Sequence, residues 1–468
     1  MKSNNTFCLR GATDLIVLLL LTCQCGFSQI NSKVSKIDSL MIWSKKIGLF
    51  NGNVLVVNND SVIYQNSFGY SDASRKNKLT SEYRFNIGSI TKELSAVAVM
   101  QLSERGMLNL DDRISKFIPT LPKWAAKISV KNLLQYTSGL PSLHWENIQN
   151  DRDAMSDLMK IDSLKFEPGT GYYYETGNVV LRQFIVEKLT GLSFNEYAET
   201  NLLKPANMKN SLMNPLGSVE QIAKSFADES VNSDPTETET SGVVFVTAND
   251  LYQWAKNLHE FKMISKNSLL ELGLSFGAQS SLGFVTFDHS EMIIHQHSGE
   301  AGNFEAFMYI DLTKGFTIIL LCNNKHQKLI PMIRAIRSIL KNEPHRLPKK
   351  SVSRYLDGYA DRMNGPSLIK LYYELQRTNG SEFDFESEEE LNSLGYNLLN
   401  KKKVDDAIMI FSLNTQLFPN SGNVFDSLGD AYQTKGDYKN ALFYYQKSLE
   451  INPNNENAKR MINLIKKN

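Results

Sequence analysis

Ser89 and Lys92 stand three residues apart in "YRFNIGSITKELSAVAVMQL", the stretch from Tyr83 to Leu102, where a glycine ends an extended run and an apolar segment begins. Ile90, Leu94, Val97 and Leu102 recur at roughly helical spacing, which predicts a helix with Ser89 in its first turn and Lys92 one turn along the same face. The two side chains can therefore touch. A serine hydroxyl is a weak nucleophile until a base takes its proton. A lysine can be that base if burial and cationic neighbours hold it partly neutral, well below its reference pKa of ~10.4. A helix start adds free backbone N–H groups for an oxyanion hole and a positive dipole end that favours anionic charge and disfavours a lysine proton. Gly88 keeps the approach to the Ser89 Oγ open. Alone, Ser-x-x-Lys is a weak signal, because solvated helix starts often carry both residues.

The chain that must position this pair has 468 residues, a formal net charge of +1 and 42% hydrophobic residues. That describes a protein able to bury a large core, with room for two or three domains and no nucleic-acid footprint. Lys2 and Arg10 precede the apolar run "LIVLLLL" (Leu15 to Leu21), and Gly26 and Ser28 flank Phe27 just beyond it. Residues 1–28 read as a secretory signal peptide, since the run is well short of the ~20 residues of a spanning helix. Export to the periplasm or medium follows, with no stable membrane span. Cys8, Cys23 and Cys25 fall in that segment, leaving Cys322 alone in "FTIILLCNN" and the mature chain without an internal disulfide. Acylation of Cys23 or Cys25 is the competing reading, but Thr22 and Gln24 are not the small residues expected before a lipidated cysteine.

Residues 40–341 mix both kinds of element. "NVLVVNNDSVIYQNSFG" reads as two strands around an Asn-Asn-Asp turn, and "MIIHQH", "FEAFMYID" and "FTIILLCN" follow one another closely enough to be antiparallel neighbours. "IPMIRAIRSIL" is a closing helix. "NEPHRLPKKSVSRYL", Asn342 to Leu356, carries two prolines and a basic cluster and reads as a linker, within a 342–385 segment of linker and capping helices.

Residues 386–468 contain a repeat. Leu394-Gly395 recurs as Leu428-Gly429, Ala407 as Ala441, Phe411 as Tyr445 and Pro419 as Pro453, each at a separation of 34 residues. This is the tetratricopeptide signature: small Gly429 and Ala441 let two antiparallel helices approach, and Pro453 stops the second. Two copies are few for stability, so "PSLIKLYYELQR" and "ENAKRMINLIKK" are expected to cap the stack, and a protein partner is expected on the repeats.

The companions of Ser89 and Lys92 strengthen the chemistry. "PGTGYYYETGNVVLRQFIVEKLTG" sets Tyr174 in a loop ahead of a helix, and "HQHSGEAGNF" sets His297-Ser298-Gly299 on a strand. With "FGYSD", "ERGMLNLDDRISKFIP", "ISVKNLLQYTSGLP", "SGVVFVTANDLYQWAKNL" and "SLGF" in order, the stretch from about Leu40 to Leu340 resembles the serine β-lactamase and penicillin-binding-protein-like family, in its class C β-lactamase and esterase branch. The resemblance implies an α+β fold, an antiparallel sheet flanked by helices with a helical subdomain, followed here by the all-α repeat unit. It implies that Ser89 is acylated, that Lys92 is its base or proton relay and that Tyr174 is the second general acid/base. His297, Ser298 and Gly299 would match the triplet on the strand lining the cleft, where the cation orients a substrate carboxylate. The Glu300 N–H would join that of Ser89 in the oxyanion hole. No cofactor is implied.

One departure bears on substrate. The family's Tyr-x-Asn is here Tyr174-Glu175-Thr176. Threonine lacks the carboxamide that both donates and accepts at longer reach and that is expected to hold the amide of a β-lactam. A small ester or D-amino-acid peptide therefore fits better than a β-lactam as substrate, and a catalytically silent domain that binds cell-wall peptide or a partner is the alternative. Three rival readings are set aside. His295 and His297 face the same way on a strand, but with no nearby carboxylate or cysteine in the sequence to complete a ligand set no metal is expected. Ser138 in "QYTSGLP" reads as a structural turn. A one-residue slip would make Tyr173 the acid/base, and the spacing to Thr190-Gly191 favours Tyr174.

Overall fold

The computed structural model describes residues 31–466, apart from 218, 228–229, 236–239 and 326–328. The predicted signal segment, 1–28, lies outside the described residues. The chain divides into two compact units between Leu347 and Pro348.

The first unit is built on a six-stranded sheet of β1 (Gly52–Asn58), β2 (Ser61–Phe68), β3 (Phe284–Asp288), β4 (Glu291–Ala301), β5 (Phe304–Asp311) and β6 (Phe316–Cys322). Its order is β2-β1-β6-β5-β4-β3 and every pairing is antiparallel. The β1–β2 turn places Asn59 and Asp60 at φ 46° and 61°, the left-handed pair that a two-residue hairpin with right-handed strand twist requires. "MIIHQH", "FEAFMYID" and "FTIILLCN" are neighbours as the sequence predicts.

β1 and β6 read as unbroken apolar runs because both sheet faces are covered. Successive side chains alternate between faces. Val54, Val56, Ile318 and Leu320 enter a core with Ile37, Leu40, Met332 and Ile336 from the helices at 31–46 and Leu329–Lys341. Leu55, Val57, Ile319 and Leu321 enter a larger core with Val97, Leu181, Ile185 and Trp254 from helices Lys92–Glu104, Gly177–Thr190 and Ala248–His259. The helices of the second core carry the site.

In the second unit, helix pairs Glu388–Asn400 with Val404–Leu417 and Gly422–Lys435 with Tyr438–Ile451 are the two repeats, followed by Glu456–Ile465. A Cβ on Gly395 would lie 2.5 Å from the Phe411 ring, and one on Gly429 2.7 Å from that of Tyr445. The 34-residue recurrence of glycine and aromatic is thus one helix–helix contact used twice. Gly365–Asn379 adds Leu368, Tyr372 and Leu375 to the same core. Part of the stretch read as linker is also structured: Val352–Asp357 is a short helix with Val352 and Leu356 buried, an i, i+4 apolar pair hidden behind the basic cluster.

Candidate active site

A short strand, Phe85–Asn86, leads into the 3-10 turn Gly88–Thr91, which continues as helix Lys92–Glu104. Ser89 sits on the turn and Lys92 opens the helix, with the Lys92 Nζ donating to the Ser89 Oγ at 2.7 Å. Burial pushes the Lys92 ammonium well below the ordinary lysine range; Tyr136 opposes the shift, Arg182 adds to it and Glu175 opposes it. Gly88 has φ +51°, and a Cβ there would lie 2.3 Å from the Glu300 N, while one on Gly299 would lie 2.7 Å from the Ser89 N. The turn and β4 therefore touch backbone to backbone, an approach that only glycines allow. It brings together the segments carrying both expected oxyanion donors, the Ser89 and Glu300 N–H groups.

Tyr174 is the tyrosine of its run that joins this pair. The Lys92 Nζ lies 5.2 Å from the centre of its ring. Its hydroxyl is buried and makes no hydrogen bond of ordinary geometry, though Ser89 is close enough to ease its ionisation. Burial raises the phenol above its usual value, with Ser89, Arg182 and Tyr136 working in the other direction. The Tyr173 hydroxyl pairs with that of Ser142 at 2.7 Å, and the Tyr172 hydroxyl accepts from the Gln279 N–H at 3.3 Å. Thr176 precedes helix Gly177–Thr190 without a side-chain capping bond and lines a cleft of about 200 Å³ with Ser89, Lys92, Trp145, Gln183 and Glu300. Ser138 is buried and its Oγ accepts from the Leu140 N–H at 3.2 Å, holding a turn.

His297 is placed differently from the expectation. Only 2% of it is exposed, it is absent from the lining of the cleft, and its Nδ1 lies 2.6 Å from the Glu93 carboxylate. A ring held there does not reach out to a substrate carboxylate. Ser298, the next residue, faces the other side of the strand and is half-buried. The cause is Glu93, fully buried next to Lys92, whose carboxylate needs donors. It accepts from the Trp254 Nε1–H at 2.8 Å, from His297 and from the His295 Nε2 at 3.2 Å, and the His295 Nδ1 in turn lies 3.0 Å from the His259 Nε2. An ionised carboxylate only accepts, so the His297 Nδ1 and His295 Nε2 carry the protons. Burial works to raise Glu93, yet His295 and His297 hold it well below the carboxylate range. Burial also lowers His297, against the pull of Glu93, and takes His259 down to about 3.

The premise that no carboxylate stands near His295 and His297 is thus corrected. Glu93 completes a set of three groups of metal-ligating type. As they stand, Glu93 and His297 are hydrogen-bonded to each other at 2.6 Å. The set is a hydrogen-bond network.

Glu93, Arg182, Glu175 and Tyr136 escaped the sequence reading. A signal was available for two of them. Helices Lys92–Glu104 and Gly177–Thr190 are apolar nearly all round, and a charge inside such a helix has no wet face to occupy.

A profile of the Beta-lactamase family matches residues 45–341, and the chain belongs to that family of serine hydrolases. The Tetratricopeptide repeat profile matches residues 427–455. Among curated relatives, a penicillin-binding protein of Bacillus subtilis is 27% identical over 345 residues, which is 65% of this chain and 75% of that protein. Among solved structures, a D-amino acid amidase from Ochrobactrum anthropi SV3 superposes with a TM-score of 0.56 at 18% identity, covering 67% of this chain and 99% of the amidase. A class C β-lactamase does so with a TM-score of 0.56 at 19% identity, covering 67% and 97%. These likenesses bear on the fold. Among the described residues, no helix is long and apolar enough to cross a membrane.

Proposed function

We propose that the chain is an exported hydrolase that works through an acyl-enzyme on Ser89 and acts on small esters or D-amino-acid peptides and amides in preference to β-lactams. The observation that carries this reading is the 2.7 Å contact between the Ser89 Oγ and a half-buried lysine that lines a cleft. Neutral Lys92 takes the Ser89 proton as Oγ bonds to the substrate carbonyl carbon. The N–H groups of Ser89 and Glu300 receive the oxyanion. As the tetrahedral adduct collapses, the Tyr174 hydroxyl gives its proton to the departing oxygen or nitrogen, and the Lys92 ammonium restores it. Water then attacks the acyl carbon, its proton passing back along the same path, and Ser89 is released. The proton count closes without any group from outside the chain. Removal of residues 1–28 on export and a protein partner for the repeats belong to the same reading; a D-amino acid amidase among the structural neighbours is in keeping with the substrate class.

Thr176 is the residue on which substrate preference turns. Its hydroxyl cannot both donate and accept at the reach of a carboxamide, and one hydrogen bond to a neutral group contributes ~1 kcal/mol. Specificity is a difference in transition-state binding. Thr176→Asn should therefore raise β-lactam acylation by about tenfold at most and leave ester hydrolysis nearly unchanged. Turnover of a short acyl ester, a D-amino-acid amide and a penicillin, on both proteins, tests this. Wild-type penicillin turnover rivalling that of the ester would refute the assigned substrate class.

A further inference from the structure

Arg182 is completely buried, in the middle of helix Gly177–Thr190, and makes no ion pair with a carboxylate among the described residues. Its Nη1 donates to the Ser281 Oγ at 2.9 Å and its Nη2 to the Tyr136 hydroxyl at 3.3 Å, while its Nε–H has no acceptor. Ser281 is anchored in turn, donating to the Leu134 carbonyl at 2.5 Å. A buried charge left so poorly matched is costly, and an arginine cannot relieve the cost by losing its proton.

What surrounds the guanidinium is the catalytic machinery. Its central carbon lies 5.4 Å from the Tyr136 ring centre, the Tyr136 and Tyr174 rings are 4.7 Å apart, and the Lys92 Nζ lies 5.2 Å from the Tyr174 ring. Two tyrosine rings thus link the buried guanidinium to the Lys92 ammonium at the edge of the cleft. Tyr136 faces the guanidinium and Tyr174 the ammonium, but two positive charges separated by two rings rather than by water repel, and of the two groups only Lys92 can give its proton up.

We propose that Arg182 is a positioning residue of the hydrolase, a fixed buried cation behind Tyr136 and Tyr174 that keeps Lys92 proton-free and so ready to receive the proton of Ser89. The proposal rests on the acyl-enzyme reading above. The groups that face Lys92 are Ser89 on its own turn, Tyr136, Tyr174 and Glu175, Arg182 from the helix and His297 from β4. Burial makes the largest contribution to lowering Lys92, Tyr136 and Glu175 work against it, and Arg182 supplies the cationic share.

The test compares Arg182→Gln, which removes the charge, with Ser281→Ala, which keeps the guanidinium and removes one of its two fork partners. In the full-length protein, the rate of Ser89 labelling by a fluorophosphonate is followed against pH, and the Lys92 ε-carbon is titrated by 13C NMR, assigned by its loss in Lys92→Arg. Arg182→Gln should move the acid limb and the Lys92 titration together to higher pH by about one unit, a tenfold loss on the acid side with little change on the alkaline plateau. Ser281→Ala should leave both nearly in place. An unshifted limb in folded Arg182→Gln overturns the proposal. If that variant does not fold, Ser281→Ala decides: an unmoved limb supports the role of charge, and a uniform loss at every pH, the mark of a merely structural fork, overturns it. If wild-type Ser89 takes no label, the acyl-enzyme reading fails by itself, and the NMR titrations of the two variants still report on Arg182.

Discussion

Helix Lys92–Glu104 of the hydrolase unit and helix Gly422–Lys435 of the repeat unit are both buried along much of their length, by different means. The first takes charge inside: Lys92 and Glu93 are matched by Ser89, His295, His297 and Trp254, and Glu93 and His297 are 204 positions apart in the chain. The second takes the absence of a side chain inside, Gly429 lying against the Tyr445 ring of the next helix, whose hydroxyl donates to Asp430 at 2.6 Å and lies 2.7 Å from the Gln433 amide. In one interior the buried carboxylate is answered from remote segments. In the other, shape is answered by the next helix. Replacing a residue should therefore cost most where a charge loses its answer, and least where only fit is disturbed.

The largest stability effect is expected at Glu93. Glu93→Ala leaves His295, His297 and the Trp254 N–H facing a dry void, and breaking a buried charged network from one side costs about 3–5 kcal/mol. Urea unfolding of the variant against wild type measures it. A loss below about 1 kcal/mol, the scale of a single neutral hydrogen bond, would show that the network adds little to the fold.

Lys92→Arg keeps a cation next to Ser89 but not a base, because a guanidinium does not release its proton at working pH. Loss of proton transfer should lower the rate by about 10²-fold or more, with folding retained, and steady-state ester hydrolysis reads it. Near-wild-type turnover would exclude lysine as the base.

The repeat unit supplies the contrast. In an open helix, Gly→Ala gains up to ~1 kcal/mol in propensity. At Gly429 the added Cβ would stand 2.7 Å from a fully buried ring that is tethered by two hydrogen bonds and cannot swing away. Overpacking of this kind costs about 1–3 kcal/mol, so Gly429→Ala should lower the melting temperature of the repeat unit. A rise would mean that helix propensity outweighs fit there, and the comparison would need revision.

This same contrast governs what could be read in the sequence. Ser89 and Lys92 were legible because they are one helical turn apart, and the repeats because Leu-Gly, Ala, aromatic and Pro return at a fixed period. The strand order of the last three strands followed from short turns. Tyr174, more than 80 positions from Ser89, was reached only through the resemblance. Glu93 in "TKELSAV" and Arg182 in "VVLRQFIV" are marked only as charges in apolar surroundings; which groups answer them depends on the segments that close over them, β4 and helix Ala248–His259 for Glu93. His297 belongs with them, because the carboxylate that its ring meets is Glu93, 204 positions away in the chain.

The central claim is that Ser89 is the acylated nucleophile, and the most direct measurement is peptide-level mass spectrometry after trapping with a fluorophosphonate. A single adduct on the peptide containing Ser89 in the wild type, and none in a folded Ser89→Ala variant, is the predicted result. An adduct that persists in Ser89→Ala on Ser138 or another serine, or a wild-type protein that takes no label at any pH, would contradict it.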